Sequence, residues 1–402
     1  GFSYENWGGY NLLVKLNQHN PAVRDYICDV IRFWVSEFDV DGIRLDAADV
    51  LDFEYMKALR RTANEVKPEF WLMGEVIHGD YSRWVNEGTL HSVTNYQLHK
   101  ALYSGHNDHN YFEIAHTVKR LYEMGGNRPE GLKLYNFVDN HDVERIYTKL
   151  SNKAHFTPVH ILLYTLPGVP SIYYGSEFGI EGRKERSSDD SLRPVLSLDD
   201  YETALGDNPC TALIAALGQI RQHTPALSYG SYAELHLTNR QFAFARDLND
   251  VRVVVTVNND DNAASMDLPA GNAVEYIGAL SGQKVAVQDG RINVTVPANS
   301  GEIWVPSGDM PEYKPFKVEI SVKEETVTDE ESIPADSEAP SSATEPVHFD
   351  PNKSPEDMSV AELQAAILAK MANNGPVSDQ MKKTVNENIW HDSLVNWLKS
   401  FR

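Results

Sequence analysis

The sequence predicts an α/β fold followed by a separate all-β module, and three observations carry this. Over residues 1–228 short apolar runs alternate with helical patterns, as strand–helix repeats around a parallel sheet require. Residues 229–306 change texture: β-rich runs are separated by turn formers, which indicates antiparallel pairing. A proline-rich acidic stretch at 307–355 then separates these from a helical tail at 356–402.

The elements follow in order. Asn20-Pro21 joins a capping residue to a proline at the first helical position. Val23, Tyr26, Ile27, Val30, Ile31 and Trp34 then recur at helical spacing and form one apolar face. Val40–Leu45 reads as a strand, about 54–66 as a helix and Phe70–Met73 as a second strand. Further runs lie at Ser92–Thr94, Leu132–Val138 and Ser171–Tyr174, and Asn208-Pro209 opens another helix carrying Leu213, Leu217 and Ile220. In the β module the strands are expected at Phe242–Ala245, Val251–Val257, Ala273–Tyr276 and Ile292–Val296. The linker holds twelve acids against four lysines and too little apolar surface to offset chain entropy; a short strand at Phe316–Val322 is the one element expected in it. In the tail, Ser359-Val360-Ala361-Glu362 is a capping box. Val360, Leu363, Ile367 and Met371 share a face, as do Leu394, Trp397, Leu398 and Phe401. So small a helical pair is expected to pack back on the rest of the chain; a docking or assembly role is the alternative.

Composition limits the function. The 402 residues carry a formal charge of −22, which disfavours nucleic acid and anionic lipid, since both need a basic patch. No apolar run approaches the roughly 20 residues that span a bilayer. Two cysteines, Cys28 and Cys210, exclude a disulfide scaffold and a cysteine-based metal knuckle and suit a reducing, cytoplasmic location.

The chemistry is carried by acids that follow predicted strands. Asp46 follows Gly42-Ile43-Arg44-Leu45, Glu75 follows Trp71-Leu72-Met73-Gly74, and Asp142 ends Phe137-Val138-Asp139-Asn140-His141-Asp142. In a parallel β/α barrel every strand opens its C-terminal end onto one face, so these acids would converge. Convergent carboxylates suit retaining glycoside hydrolysis or metal-assisted hydrolysis with His141 among the ligands. The structural alternative is that each acid caps the next helix. Arg44, two residues before Asp46, would face the same side of the strand and keep that carboxylate ionised.

These segments resemble the α-amylase family of glycoside hydrolases. Asp41–Ala48 resembles its nucleophile segment, Gly74-Glu75-Val76 its acid/base segment and Phe137–Asp142 the segment of its transition-state stabiliser. Leu13–Asn17 is similar to a segment of the cyclomaltodextrinase and neopullulanase group. Ser171–Glu177 with Arg193-Pro194 resembles the family's last strand and its loop. The resemblance implies Asp46 as nucleophile, Glu75 as acid/base and Asp142 as the residue gripping the sugar in the transition state. Arg44, Asn140 and His141 would bind or orient. His78 and Tyr81 would line the leaving-group side or lie on an exposed loop, Trp7 and Trp84 would offer ring faces for stacking or fill the core as tryptophan usually does, and Glu177 would fix the last loop. Asp46 and Glu75 are expected about 5–5.5 Å apart, with Glu75 against apolar surface or another carboxylate to stay protonated.

Departures from the family pattern carry expectations too. No segment matches the family's first motif, and the chain opens at Gly1. The expected fold is therefore a partial (β/α)8 barrel of strands four to eight, then an antiparallel β-sandwich and a small helical tail. Open strand edges on such a fragment would favour association into a homo-oligomer and leave it poorly active alone. Asp49-Val50 stands where calcium-dependent relatives carry Lys-His, so no metal or other cofactor is expected here; the resemblance assigns calcium to an intact parent. The expected function is retaining hydrolysis of α-glucosidic bonds in maltooligosaccharides, cyclodextrins or related α-glucans. The alternatives are transglycosylation and a non-catalytic carbohydrate-binding or assembly role.

Overall fold

A computed structural model of the chain describes residues 4–126, 128–186, 188–308 and 353–373, together with Lys382, Val385, Leu398 and Lys399. It divides into two units, residues 1–319 and 320–402.

The first unit opens with a hairpin, β1 (Asn6–Trp7) and β2 (Tyr10–Val14). Its turn is Gly8-Gly9, both at positive φ, as a tight two-residue hairpin requires. Helix α1 (Pro21–Phe38) starts as expected: the Asn20 side chain accepts from the Ala22 N–H. Its apolar face is only partly used, because Cys28 and Ile31 are buried while Tyr26, Phe33 and Trp34 are exposed.

Five parallel strands follow in chain order: β3 (Gly42–Leu45), β4 (Trp71–Gly74), β5 (Ser92–Val93), β6 (Tyr135–Asn136) and β7 (Val169–Pro170). β3, β4 and β5 pair side by side, a Thr94–Tyr135 bridge joins β5 to β6, and β6 pairs with β7. Helix α2 (Phe53–Val66) connects β3 to β4, and α3 (Tyr96–Asn107) with α4 (Tyr111–Glu123) connects β5 to β6. After β6 come α5 (Ile146–Lys149) and α6 (Phe156–Thr165); after β7 come α7 (Ala204–Asp207), α8 (Pro209–His223) and α9 (Pro225–Tyr229).

Two strand expectations are corrected. The apolar run Leu132–Val138 forms a strand only at Tyr135–Asn136; beyond it the backbone bends to serve the loop that carries Asp142. The expected strand at Ser171–Tyr174 lies earlier, at Val169–Pro170. Its pairing stops once the Ser171 N–H reaches the Asn136 carbonyl, and Tyr173 and Tyr174 turn toward Arg145 instead.

The β module is a sandwich. One sheet has six antiparallel strands: β8 (Ser231–Leu237), β9 (Gln241–Leu248), β10 (Val251–Asn258), β12 (Glu275–Gly278), β13 (Lys284–Ala286) and β15 (Ser300–Pro306). The other pairs β11 (Ala264–Pro269) with β14 (Arg291–Val296). Ala243, Val254 and Trp304 face Met266, Leu268, Ile292 and Val294 between the sheets. The alternate residues Phe242, Phe244, Val253, Val255 and Ile303 join the core that also holds α6, α3 and α4. A sheet buried on both faces explains the unbroken apolar run of β10. Strands β8, β11, β13 and β15 went unpredicted. β15 was hidden by Gly301, where a Cβ would meet the Thr256 carbonyl at 2.6 Å, so only glycine allows the approach to β10.

In the second unit the capping box is present: the Ser359 N–H donates to Glu362 Oε2 at 2.7 Å, and the Glu362 N–H to Ser359 Oγ at 3.3 Å. Helix α10 (Val360–Asn373) follows and buries Leu363, Ala366 and Ile367. The expected strand at Phe316–Val322 and most of the second tail helix lie outside the described residues. No helix among the described residues is long and apolar enough to cross a membrane.

Candidate active site

Parallel strands deliver their following residues to one side. The ladder continues past β3 and β4: the Glu75 N–H donates to the Leu45 carbonyl at 2.9 Å, and the Ala48 N–H to the Glu75 carbonyl at 2.8 Å. Asp46 and Glu75 therefore stand at neighbouring strand ends. Ala47 takes a left-handed φ of 44° to make the turn. Gly74 leaves room for it, since a Cβ there would meet the Ala48 methyl at 2.7 Å.

Arg44 reaches across both acids. Its guanidinium lies 3.7 Å from Asp46 Oδ2 and 3.0 Å from Glu75 Oε2. The strand register places Arg44 beside Met73, so Glu75, two residues on, points to the same side. The expected apolar or acidic neighbour of Glu75 is thus replaced by a cation, closer to Glu75 than to Asp46. The Glu75 side chain is 14% exposed and that of Asp46 85%. Glu75 Oε2 also accepts from the Ala47 N–H at 3.3 Å.

A second group of residues comes from the end of β6. Asn140 Oδ1 accepts from the N–H groups of Asp142 and Val143 at 2.8 and 3.1 Å, folding the loop over its own side chain. His141 Nε2 lies 3.1 Å from Asp142 Oδ2. Arg193 donates to Asp142 Oδ1 at 2.9 Å and to the His141 carbonyl at 3.1 Å.

Tyr96, at the start of α3, joins the two groups. Its hydroxyl accepts from the Asn140 amide at 3.1 Å and donates to Glu75 Oε1 at 3.4 Å. Burial raises its pKa above the ordinary tyrosine value; Asn140 opposes the shift, Glu75 and Asp142 add to it and Arg44 opposes it. A neutral phenol is thus held between Glu75 and Asn140. Tyr96 was missed from sequence, although it follows the end of β5 just as Asp46 and Glu75 follow theirs. Arg193 was noted only as part of a loop; nothing in its local sequence pairs it with Asp142, 51 residues away.

Other candidates fall elsewhere. His78 is exposed on the loop after β4 and joins none of these contacts. Tyr81 is fully buried with its hydroxyl on the Ile77 carbonyl at 3.2 Å, and Trp84 is buried in the main core; both support packing, not a sugar. Trp7 stacks on Tyr10 in the hairpin. Glu177 Oε2 is buried without a partner, and its carbonyl accepts from Thr211 at 2.9 Å, which ties the last loop to α8. Among the described residues no three His, Cys, Asp or Glu side chains gather as a metal site would require.

Residues 7–208 match the α-amylase catalytic domain, and residues 230–304 match the α-amylase C-terminal domain. Neopullulanase 2 of Thermoactinomyces vulgaris is 28% identical over 300 residues, 72% of this chain and 49% of that protein. A cyclomaltodextrinase of Thermoanaerobacter pseudethanolicus is 30% identical over 251 residues, 61% of this chain and 42% of its own length. The chain thus spans about half the length of the curated relatives it matches. Among solved structures, an Anoxybacillus α-amylase aligns at a TM-score of 0.63 and 25% identity, over 75% of this chain and 66% of that one. With the catalytic-domain and C-terminal-domain models both matched, the chain belongs to the α-amylase family of glycoside hydrolases.

Proposed function

We propose that the chain carries the catalytic carboxylates of a retaining hydrolase of α-glucosidic bonds in maltooligosaccharides, cyclodextrins or related α-glucans. The observation that carries this is the Arg44 guanidinium touching Asp46 and Glu75 at adjacent strand ends. Asp46 attacks the anomeric carbon while Glu75 gives its proton to the departing glycosidic oxygen. A covalent glycosyl-enzyme forms; Glu75 then takes a proton from water, whose oxygen displaces Asp46. Asp142, held by Arg193 and His141, grips the sugar hydroxyls next to the reacting carbon. Arg44 supplies a positive charge beside both acids, and the proposal assigns this chain no metal. The five parallel strands are read as strands four to eight of a longer protein's barrel. The names of the relatives, neopullulanase and cyclomaltodextrinase, support the substrate class.

Asp46→Asn and Glu75→Gln are each expected to lower turnover of maltotriose by about 10³-fold or more. Proton NMR of the first product should show the retained anomer; an inverted one would end the nucleophile assignment, as would either variant matching the unaltered chain. The exposure of Asp46 favours a second reading, in which this length of chain binds α-glucan without cleaving it. Calorimetric titration with maltoheptaose separates the two: heat of binding without released product supports the second.

A further inference from the structure

Arg193 holds Asp142, and a buried network holds Arg193. Arg145, three residues after Asp142, is fully buried. Its Nη1 donates to the Tyr174 carbonyl at 2.8 Å and the Ser176 hydroxyl at 3.0 Å, and its Nη2 to the Leu192 carbonyl at 3.1 Å. The rings of Tyr173 and Tyr174 lie 4.6 and 5.3 Å from the guanidinium. The Tyr173 hydroxyl donates to the same Leu192 carbonyl at 3.0 Å, and the Tyr174 hydroxyl to the Pro194 carbonyl at 2.8 Å. Both residues that flank Arg193 are thereby tied by their carbonyls. Asp139, also buried, accepts from the Ile146 N–H at 2.8 Å and the Ser176 hydroxyl at 2.7 Å, so the network closes on the segment that carries Asp142.

None of the hydrogen bonds made by this guanidinium ends on a carboxylate. Burying a cation on carbonyls and ring faces is unfavourable, and apolar side chains would fill the space at lower cost. What the guanidinium offers is a rigid fork that fixes several acceptors at set angles. We propose that Arg145 is a positioning residue: by fixing the Leu192–Pro194 segment it places Arg193, and through Arg193 it aims the Asp142 carboxylate. The proposal rests on reading Asp142 as the carboxylate that grips the sugar in the transition state.

The test reads two quantities in the full chain. Arg145→Met is expected to lower kcat on maltotriose about 10²-fold with KM changed less than about threefold, because a misplaced group costs rate more than binding. Arg145→Lys should fall between the two, since an ammonium cannot fork. The second quantity needs no turnover. Amide hydrogen exchange of the segment 189–193 should quicken about tenfold in Arg145→Met, with β9 and β10 unchanged. Unchanged exchange there, or quicker exchange with an unaltered kcat, would overturn the proposal. If Arg145→Met does not fold, Tyr173→Phe, which deletes one of the two donors to Leu192, is judged by the same readings at a smaller effect. If the unaltered chain cleaves no α-glucan, the catalytic reading fails, and the exchange measurement alone decides whether Arg145 holds this segment.

Discussion

The six-stranded sheet and the five parallel strands belong to one unit but are held by different means. The sheet's longest strands run seven or eight residues and bury apolar side chains on both faces. The parallel strands are two to four residues long, and buried polar contacts join their ends. The sheet illustrates stability obtained from area. The strand ends illustrate side chains held in place by polar contacts, with area given up.

The largest expected effect contrasts the two regions through one residue type. Trp304 is 1% exposed between the two sheets, with its indole N–H on the Thr256 hydroxyl at 3.1 Å. Trp34 on α1 is 42% exposed. Trp304→Ala should cost about 3–5 kcal/mol, and Trp34→Ala no more than about 1 kcal/mol. Urea unfolding midpoints measure both; similar losses would show that α1 is packed as tightly as the sandwich.

Two buried carboxylates sharpen the contrast. Glu302 in β15 accepts backbone N–H groups from Leu280, Ser281 and Ile303 at 2.8–2.9 Å. Asp139 beyond β6 accepts twice on Oδ2, while Oδ1 is buried without a partner. Burial pushes the Asp139 carboxyl from 3.8 to about 6, against the pull of Ile146, Ser176 and Arg145. The folded protein then keeps this proton up to about pH 6, while the unfolded chain releases it above 3.8. Its contribution to stability is therefore full below 3.8 and lost as pH rises to about 6. Two pK units correspond to about 3 kcal/mol. Asp139→Asn should flatten the fall in stability between pH 4 and 6 seen in urea titrations at successive pH values. An unchanged slope would assign that fall to other groups.

The same contrast explains what the sequence made legible. Asp46 and Glu75 each stand at a strand end, so a local rule found them; Asp142 lies on the loop beyond β6 and was marked by its motif. Arg44 was found because one of its two partners, Asp46, is two residues away. Arg193 and Arg145 were not, because their partners lie on segments tens of residues distant and only the fold brings them together. In the β module, strands with an even apolar run were visible, while β15 was not, because its Gly301 is explained only by the approach of β10. Tyr81 was read as lining the leaving-group side because it follows Glu75, and Trp84 as either a stacking ring or a core residue; both are buried in the main core, which sequence proximity to Glu75 does not reveal.

The smallest expected effect concerns one dipeptide used twice. Asn20-Pro21 and Asn208-Pro209 open α1 and α8 alike in sequence. Asn20 Oδ1 accepts one N–H, from Ala22 at 3.0 Å. Asn208 Oδ1 accepts two, from Cys210 at 2.9 Å and Thr211 at 3.3 Å, and its amide donates to the Phe178 carbonyl at 2.9 Å. Removing a cap costs about 0.5–2 kcal/mol. Asn208→Ala should lie near the upper end, because it also strips the Phe178 carbonyl of its donor on the loop after β7. Asn20→Ala should lie near the lower end, because the first turn of α1 is open to water, which replaces the lost acceptor. Thermal midpoints of the two variants rank them. Equal losses would mean that the cap acts through its own helix alone, and that the contact to the loop adds nothing to the strand-end side of the protein.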